Sequence, residues 1–195
     1  MKKKIKITYN MPVILTFVIL CFAVTLVGAL TDSKSTALLF SVYRGAWTNP
    51  LTYLRLFTHV LGHAGFEHFI GNAMYLLLVG PMLEEKYGSD TMLKVILATA
   101  LVTGVIHCAL WSNSALCGAS GVVFAFIVMS SFTAFKEGEI PLSFLLVGVL
   151  YIGQEVFSGL LIRDNVSNLT HIIGGVVGSA AGYMLNKGHK KKRRQ

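Results

Sequence analysis

The sequence is short of charge. Only 13% of its 195 residues are charged, against 54% hydrophobic, where soluble domains carry about 25% charged residues. That shortage excludes an ordinary soluble domain and points to a membrane chain. Cysteines are also few. Cys21, Cys108 and Cys117 make an odd count without metal-ligand spacing and are read as packing residues. No repeat, low-complexity tract or linker is present, so the chain is read as one domain over residues 11–186, with a basic N-terminus at 1–10 and a basic tail at 187–195.

Long apolar runs are what the chain does have. Candidate spans lie near Met11–Leu30, Phe66–Leu83, Thr91–Trp111, Leu116–Phe135, Pro141–Leu161 and Leu169–Leu185. Roughly 20 helical residues cross about 30 Å of hydrocarbon. Most of the runs approach that length, while the second and sixth are short and polar at their starts. The expected fold is an all-α polytopic membrane protein, a six-transmembrane-helix bundle with a long first outer loop.

The net charge of +8 would suit nucleic acid, but its placement speaks for topology. Lys2, Lys3, Lys4 and Lys6 precede the first span, Lys190, Lys191, Lys192, Arg193 and Arg194 follow the last, and Lys86, Lys94 and Lys136 flank the even-numbered turns. Lys34, Arg44, Arg55 and Arg163 fall on the other side. Six spans put both termini on one side, and the positive-inside rule makes that side the cytoplasm. The basic tail is therefore a topology signal near lipid rather than a nucleic-acid arm. Val27-Gly28-Ala29 looks like a signal-peptide cleavage site, yet the apolar run before it exceeds the usual h-region of about 7 to 15 residues and is read as a retained span. Two glycosylation patterns, at Asn165 and Asn168, sit almost on the start of a span and are read as chance.

The connections are uneven. Residues 84–90, 112–115, 136–140 and 162–168 read as short turns, whereas residues 31–65 form one long outward segment carrying Phe40, Tyr43, Trp47, Tyr53 and Phe57. Long loops in compact domains are usually functional or disordered. The aromatic content of this one predicts short helices lying in the membrane interface.

Polar groups at membrane depth need a partner or a job. Four places stand out: His63 through His68 to Asn72, Ser120 with Gly118 and Gly121, His171 with Gly174 and Gly178, and the pair Gln154-Glu155. His68 and Asn72 are four apart and share a helix face. Spans two, four and six all start on the outer side, so His68, Asn72, Ser120 and His171 fall at one depth. Gly174 and Gly178 form a small-xxx-small pattern that lets another helix come close, bringing His171 toward Ser120. A neutral imidazole beside a serine is a base beside a nucleophile. The His68 ring N–H, the Asn72 amide and a backbone N–H near Ser120 are donors of the type an oxyanion needs. No aspartate is placed to orient His171, so the pair is a dyad. The flanking glycines allow a tight turn and close approach of a substrate backbone.

Plainer readings stand beside this one. Serine and glycine are ordinary packing residues in membrane helices, His107 and His59 read as satisfying a neighbour, and Glu155 as a buried hydrogen-bonding residue. The soluble hydrolase elbow G-x-S-x-G fails at Val122 and lacks its strand.

Taken together the residues resemble the rhomboid family of intramembrane serine proteases. The motifs are His63-x4-His68-x3-Asn72, Gly118-Ala119-Ser120-Gly121 and His171-x2-Gly174-x3-Gly178, in the family's order, with Leu83-Glu84-Glu85-Lys86-Tyr87-Gly88-Ser89 after the second span. The likeness covers about residues 50–185. It implies Ser120 as nucleophile, His171 as general base, and His68 and Asn72 as oxyanion stabilisers. His63, Gly118, Gly121, Phe124, Gly174 and Gly178 would support the site, and Arg55 and Glu84 would belong to loop and turn structure. It implies peptide-bond hydrolysis in or beside the transmembrane helix of single-span substrates, in a bilayer, with no metal, no cofactor and no nucleic acid. The multi-pass chain would lie in a cell membrane, that of a bacterium, with both termini cytoplasmic. Two positions depart from the family: Leu54 replaces a tryptophan before Arg55, where Tyr53 is expected to compensate, and Phe124 replaces a tyrosine. The competing readings are a non-catalytic member that binds transmembrane helices and, further behind, a small transporter using Glu155 and the histidines. Transporters of that kind commonly show repeats that this chain lacks.

Overall fold

Proline at a first helical position gives up an N–H that has no intrahelical partner there, and Pro12 opens α1 (Pro12–Leu30) in this way. The structure is a computed structural model that describes residues 9–134 and 165–193, together with Leu142, Leu145, Leu146, Val149 and Leu150; in the last stretch side chains are described over residues 169–185. After α1 come α2 (Lys34–Leu39), α3 (Pro50–Thr58), α4 (Phe66–Tyr87), α5 (Ser89–Leu110) and α6 (Ser120–Ser131), which runs into a 3-10 turn at Phe132–Ala134. The final helix is α7 (Asn165–Arg193). Regular structure among the described residues is helical, with one isolated antiparallel bridge joining Val42 to Leu116.

The bundle is apolar outside and partly polar inside. Large side chains such as Leu78, Met82, Leu110, Val176 and Met184 are more than 60% exposed, an apolar surface of the kind a water-soluble monomer rarely carries. Thr25, Thr99 and Thr103 are buried instead, and each hydroxyl donates to the carbonyl four residues back at 2.7 to 2.8 Å, which satisfies it without a partner helix. α1 and α5 are each long and apolar enough to cross a membrane; α6 and the Leu169–Leu185 part of α7 are apolar but shorter.

α6 has no polar face, and its residues Gly121, Val122, Val123, Ala125, Phe126, Val128 and Met129 are all buried, as befits a helix enclosed by others. It packs against α4, α5 and, most extensively, α7. At the α6–α7 contact a β-carbon on Gly174 would run into the Gly121 carbonyl oxygen, and one on Gly178 into that of Ala125. Only glycine permits backbones to approach this closely.

At the opposite end of α4 from His68, the Glu84 carboxylate caps α1. It accepts from the N–H groups of Val13 and Ile14, both at 3.0 Å, and from the Ser89 hydroxyl at 2.6 Å. The residue before the helix, Met11, offers no side-chain cap, so the free N–H groups of the first turn are satisfied by a carboxylate about 70 residues away. Replacing Glu84 with Ala leaves two such groups unpaired, at about 1–3 kcal/mol each. The thermal unfolding midpoint in detergent is expected to fall by about 5–15 °C.

Several expected boundaries move. The turn expected at 84–90 shrinks to Gly88, whose φ of +85° reverses the chain between α4 and α5. Residues Glu84 to Tyr87 stay helical while Glu84 reaches across to α1. The fourth apolar run does not become helical at Leu116 but at Ser120, because Leu116 is held by two backbone hydrogen bonds of 2.9 Å to Val42. That helix ends at Ser131, short of Phe135. The last helix begins at Asn165, inside the expected turn at 162–168, and continues to Arg193, so the basic tail extends it. The long segment 31–65 does contain two short helices, α2 and α3, the second capped by Asn49 Oδ1 accepting from Leu51 N–H at 3.0 Å. The fifth run, Pro141–Leu161, with Gln154 and Glu155, lies outside the described residues apart from the five leucine and valine positions named above.

Candidate active site

Ser120 takes the first position of α6, directly after a non-helical stretch anchored at both ends. Leu116 is bridged to Val42, and Gly118 N–H donates to the His59 carbonyl at 2.9 Å. Gly118 has φ +134°, and a β-carbon there would lie 2.9 Å from His68 Cε1, so both conformation and space require glycine. Its absence of a side chain lets the His68 ring lie against the loop that carries the serine.

A cavity of about 650 Å³ opens beside Ser120, with His68 and Asn72 of α4, Phe124 of α6 and His171 of α7 in its walls. The four polar residues expected at one depth thus share one space. His171 packs its ring on Phe124 with centroids 4.2 Å apart and planes inclined by 35°. Ala64 N–H donates to His68 Nδ1 at 3.5 Å, which leaves Nε2 to carry that ring's proton. Asn72 donates one amide hydrogen to the His68 carbonyl at 3.1 Å and keeps the second.

His63 stands behind this wall, buried. Its Nδ1–H donates to the Leu61 carbonyl at 3.1 Å, and its Nε2 accepts from Ala119 N–H at 3.5 Å, the residue just before Ser120. Its ring meets those of His68 and Phe69 edge-on at 5.1 and 5.7 Å. Only the neutral imidazole has both a donor and an acceptor. His59 is also buried, donating Nε2–H to the Ala100 carbonyl at 3.0 Å, and His107 donates in the same way to the Ser114 carbonyl at 3.1 Å.

Burial, reinforced by the neighbouring His68, pushes His63 down to about 4, and burial pushes His59 down to about 4 as well. In the unfolded chain both titrate near the ordinary 6.5. Between those values the unfolded state binds more protons, so stability is full above pH 6.5 and drains away as pH falls toward 4. The unfolding midpoint in detergent, measured across that range, is expected to fall steadily on the acid side.

The remaining expected site residues lie around the cavity rather than in it. Gly121, Gly174 and Gly178 form the α6–α7 contact, and Glu84 sits at the far end of α4. Arg55 is buried, donates Nε–H to the Leu38 carbonyl at 2.8 Å, and lies over the Tyr43 ring at 4.4 Å. Tyr53 is half exposed and pairs with Trp47 at 6.0 Å. The ring that Arg55 meets is Tyr43, from the chain after α2. Cavity-lining residues not picked out from the sequence include Glu67, Gly71, Tyr75, Cys117, Val123 and Ile127. Helical period was the available signal: 67-71-75 continues the His68–Asn72 face of α4, and 123-127 continues the Ser120–Phe124 face of α6.

Residues 50–188 match the family model described as Rhomboid domain. Rhomboid-related protein 1 of Caenorhabditis elegans is 31% identical over 140 residues, covering 67% of this chain and 39% of the relative. Rhomboid protease GluP of Bacillus subtilis is 26% identical over 161 residues, 83% of this chain and 31% of the relative. Rhomboid protease GlpG of Pectobacterium atrosepticum is 27% identical over 129 residues, 64% and 45% respectively. The chain thus spans less than half the length of each of these three relatives. With its described residues helical and most of its length matched by the family model, the chain belongs to the rhomboid family of membrane-embedded proteins.

Proposed function

We propose that the chain is an intramembrane serine endopeptidase that cuts peptide bonds in or near the transmembrane helices of other membrane proteins. The observation that carries this reading is the gathering of Ser120, His171, His68 and Asn72 on one cavity, with Phe124 fixing the His171 ring. His171 takes the Ser120 hydroxyl proton as the oxygen attacks the scissile carbonyl. The oxyanion that forms is held by His68 Nε2–H, by the second Asn72 amide hydrogen and by backbone N–H groups at the start of α6, where the helix dipole favours negative charge. His171 then passes its proton to the leaving amine, and water, activated by the same base, hydrolyses the acyl-enzyme. Names of relatives such as the GluP and GlpG proteases support the reaction class. The reading includes six spans, both termini in the cytoplasm, a site open to the outer side of a bacterial plasma membrane, and single-span proteins as substrates.

A fluorophosphonate probe tests this directly, because it reports an activated serine without needing the natural substrate. Mass spectrometry is expected to find the adduct on Ser120, and labelling is expected to disappear in His171→Ala. Absence of labelling in the wild-type protein would favour a non-catalytic helix binder.

A further inference from the structure

We propose that Glu67 sets a charge preference at this site, attracting a lysine or arginine that flanks the scissile bond and disfavouring an acidic residue there. The inference rests on the proteolytic reading above and adds a substrate class to it. Among the described side chains lining the cavity, Glu67 is the one carboxylate and no lysine or arginine joins it; its neighbours on the walls are apolar, hydroxyl, amide, thiol or imidazole groups. It occupies the first turn of α4, one residue before His68 and on the same face as Gly71 and Tyr75. Its carboxylate is exposed and forms no hydrogen bond or ion pair among the described residues.

Two of the cations that the charge pattern puts on the outer side are engaged elsewhere among the described residues. Arg44 donates to the carbonyls of Cys108 and Ala109 at the end of α5, and Arg55 is buried against Leu38 and Tyr43. Neither neutralises Glu67. A lone charge at a cleft with low-dielectric walls focuses its field into the space a substrate enters. Basic residues are the less common flank on the outer side of a membrane helix, so a preference for them separates substrates instead of accepting most.

A carboxylate in a helix's first turn also stabilises that helix through the dipole. Such a role would act on all substrates alike, which makes the ratio between two substrates the informative quantity. Transmembrane peptides identical except for Lys or Glu, placed in turn at each of several positions around the scissile bond, are supplied to the full chain in liposomes. At one or more positions the Lys peptide is expected to be cleaved about three- to tenfold faster than the Glu peptide, the size of one exposed attraction plus one repulsion. The ratio is expected to fall to about one in Glu67→Gln, to invert in Glu67→Lys, and to shrink as salt is raised. Equal ratios in all three proteins overturn the assignment. Binding of the same peptides to Ser120→Ala is measured in parallel. A charge preference in binding with no turnover of any peptide by the wild-type protein overturns the proteolytic reading alone, whereas equal binding of Lys and Glu peptides overturns the role of Glu67.

Discussion

Ser120→Ala is expected to reduce cleavage of a transmembrane test peptide by at least about a thousandfold, because no other group on the cavity replaces a nucleophile that forms a covalent bond. His171→Ala is expected to lose a comparable factor, and the double variant no more than either single one, since the two act as a unit. The serine itself makes the experiment clean. Its hydroxyl has no hydrogen-bond partner among the described residues, so its removal is expected to change stability by no more than about 0.5 kcal/mol. Turnover in liposomes and the unfolding midpoint in detergent, measured on the same preparations, separate loss of chemistry from loss of fold. Undiminished cleavage by Ser120→Ala would falsify the dyad.

The second large effect concerns packing. Gly174→Ala and Gly178→Ala each drive a methyl group into a backbone carbonyl of α6, and backbone within two packed helices has little room to yield. Each is expected to destabilise the protein by about 3–5 kcal/mol and to lower activity more than stability alone accounts for, because α7 carries His171 and α6 carries Ser120. Two other glycines serve as controls for stability. A β-carbon on Gly121 meets nothing closer than 3.4 Å, and one on Gly182 meets the Phe132 ring at 2.7 Å. The ordinary contact at Gly121 predicts a small change in midpoint. Gly182 predicts an intermediate one, since an aromatic ring can shift where a carbonyl cannot. Equal losses at all four positions would show that the α6–α7 spacing is not what these glycines protect.

Much of the fold was legible because lipid imposes a simple code on long helices. α1 and α5 were readable from apolar length, and α4 from its apolar face despite Glu67, His68 and Asn72. The short helices of residues 31–65 were expected from aromatic content; that Asn49 and Pro50 supply a cap and a first turn for α3 is seen in the structure. Boundaries were less legible where a partner distant in sequence decides them. The start of α6 depends on Val42, whose bridge to Leu116 holds the chain out of helix until Ser120. The reach of Glu84 to Val13 and Ile14 had no local signal either, since a helix N-terminus and its cap lie about 70 residues apart.

Within the cavity, residue type and spacing pointed to Ser120, His171, His68 and Asn72, while Cys117 was read as packing and Glu67 and Tyr75 did not stand out. Type and spacing are properties of one helix, and a wall is a property of three. The sequence by itself determined a membrane-embedded helical chain, the polar groups that must be housed in it, and the glycines that let helices meet. Tertiary structure decided which ring supports Arg55, which wall Glu67 joins, and how the loop before Ser120 is held. These depend on contacts between segments tens of residues apart, and local periodicity carries no information about which distant backbone will satisfy a given group.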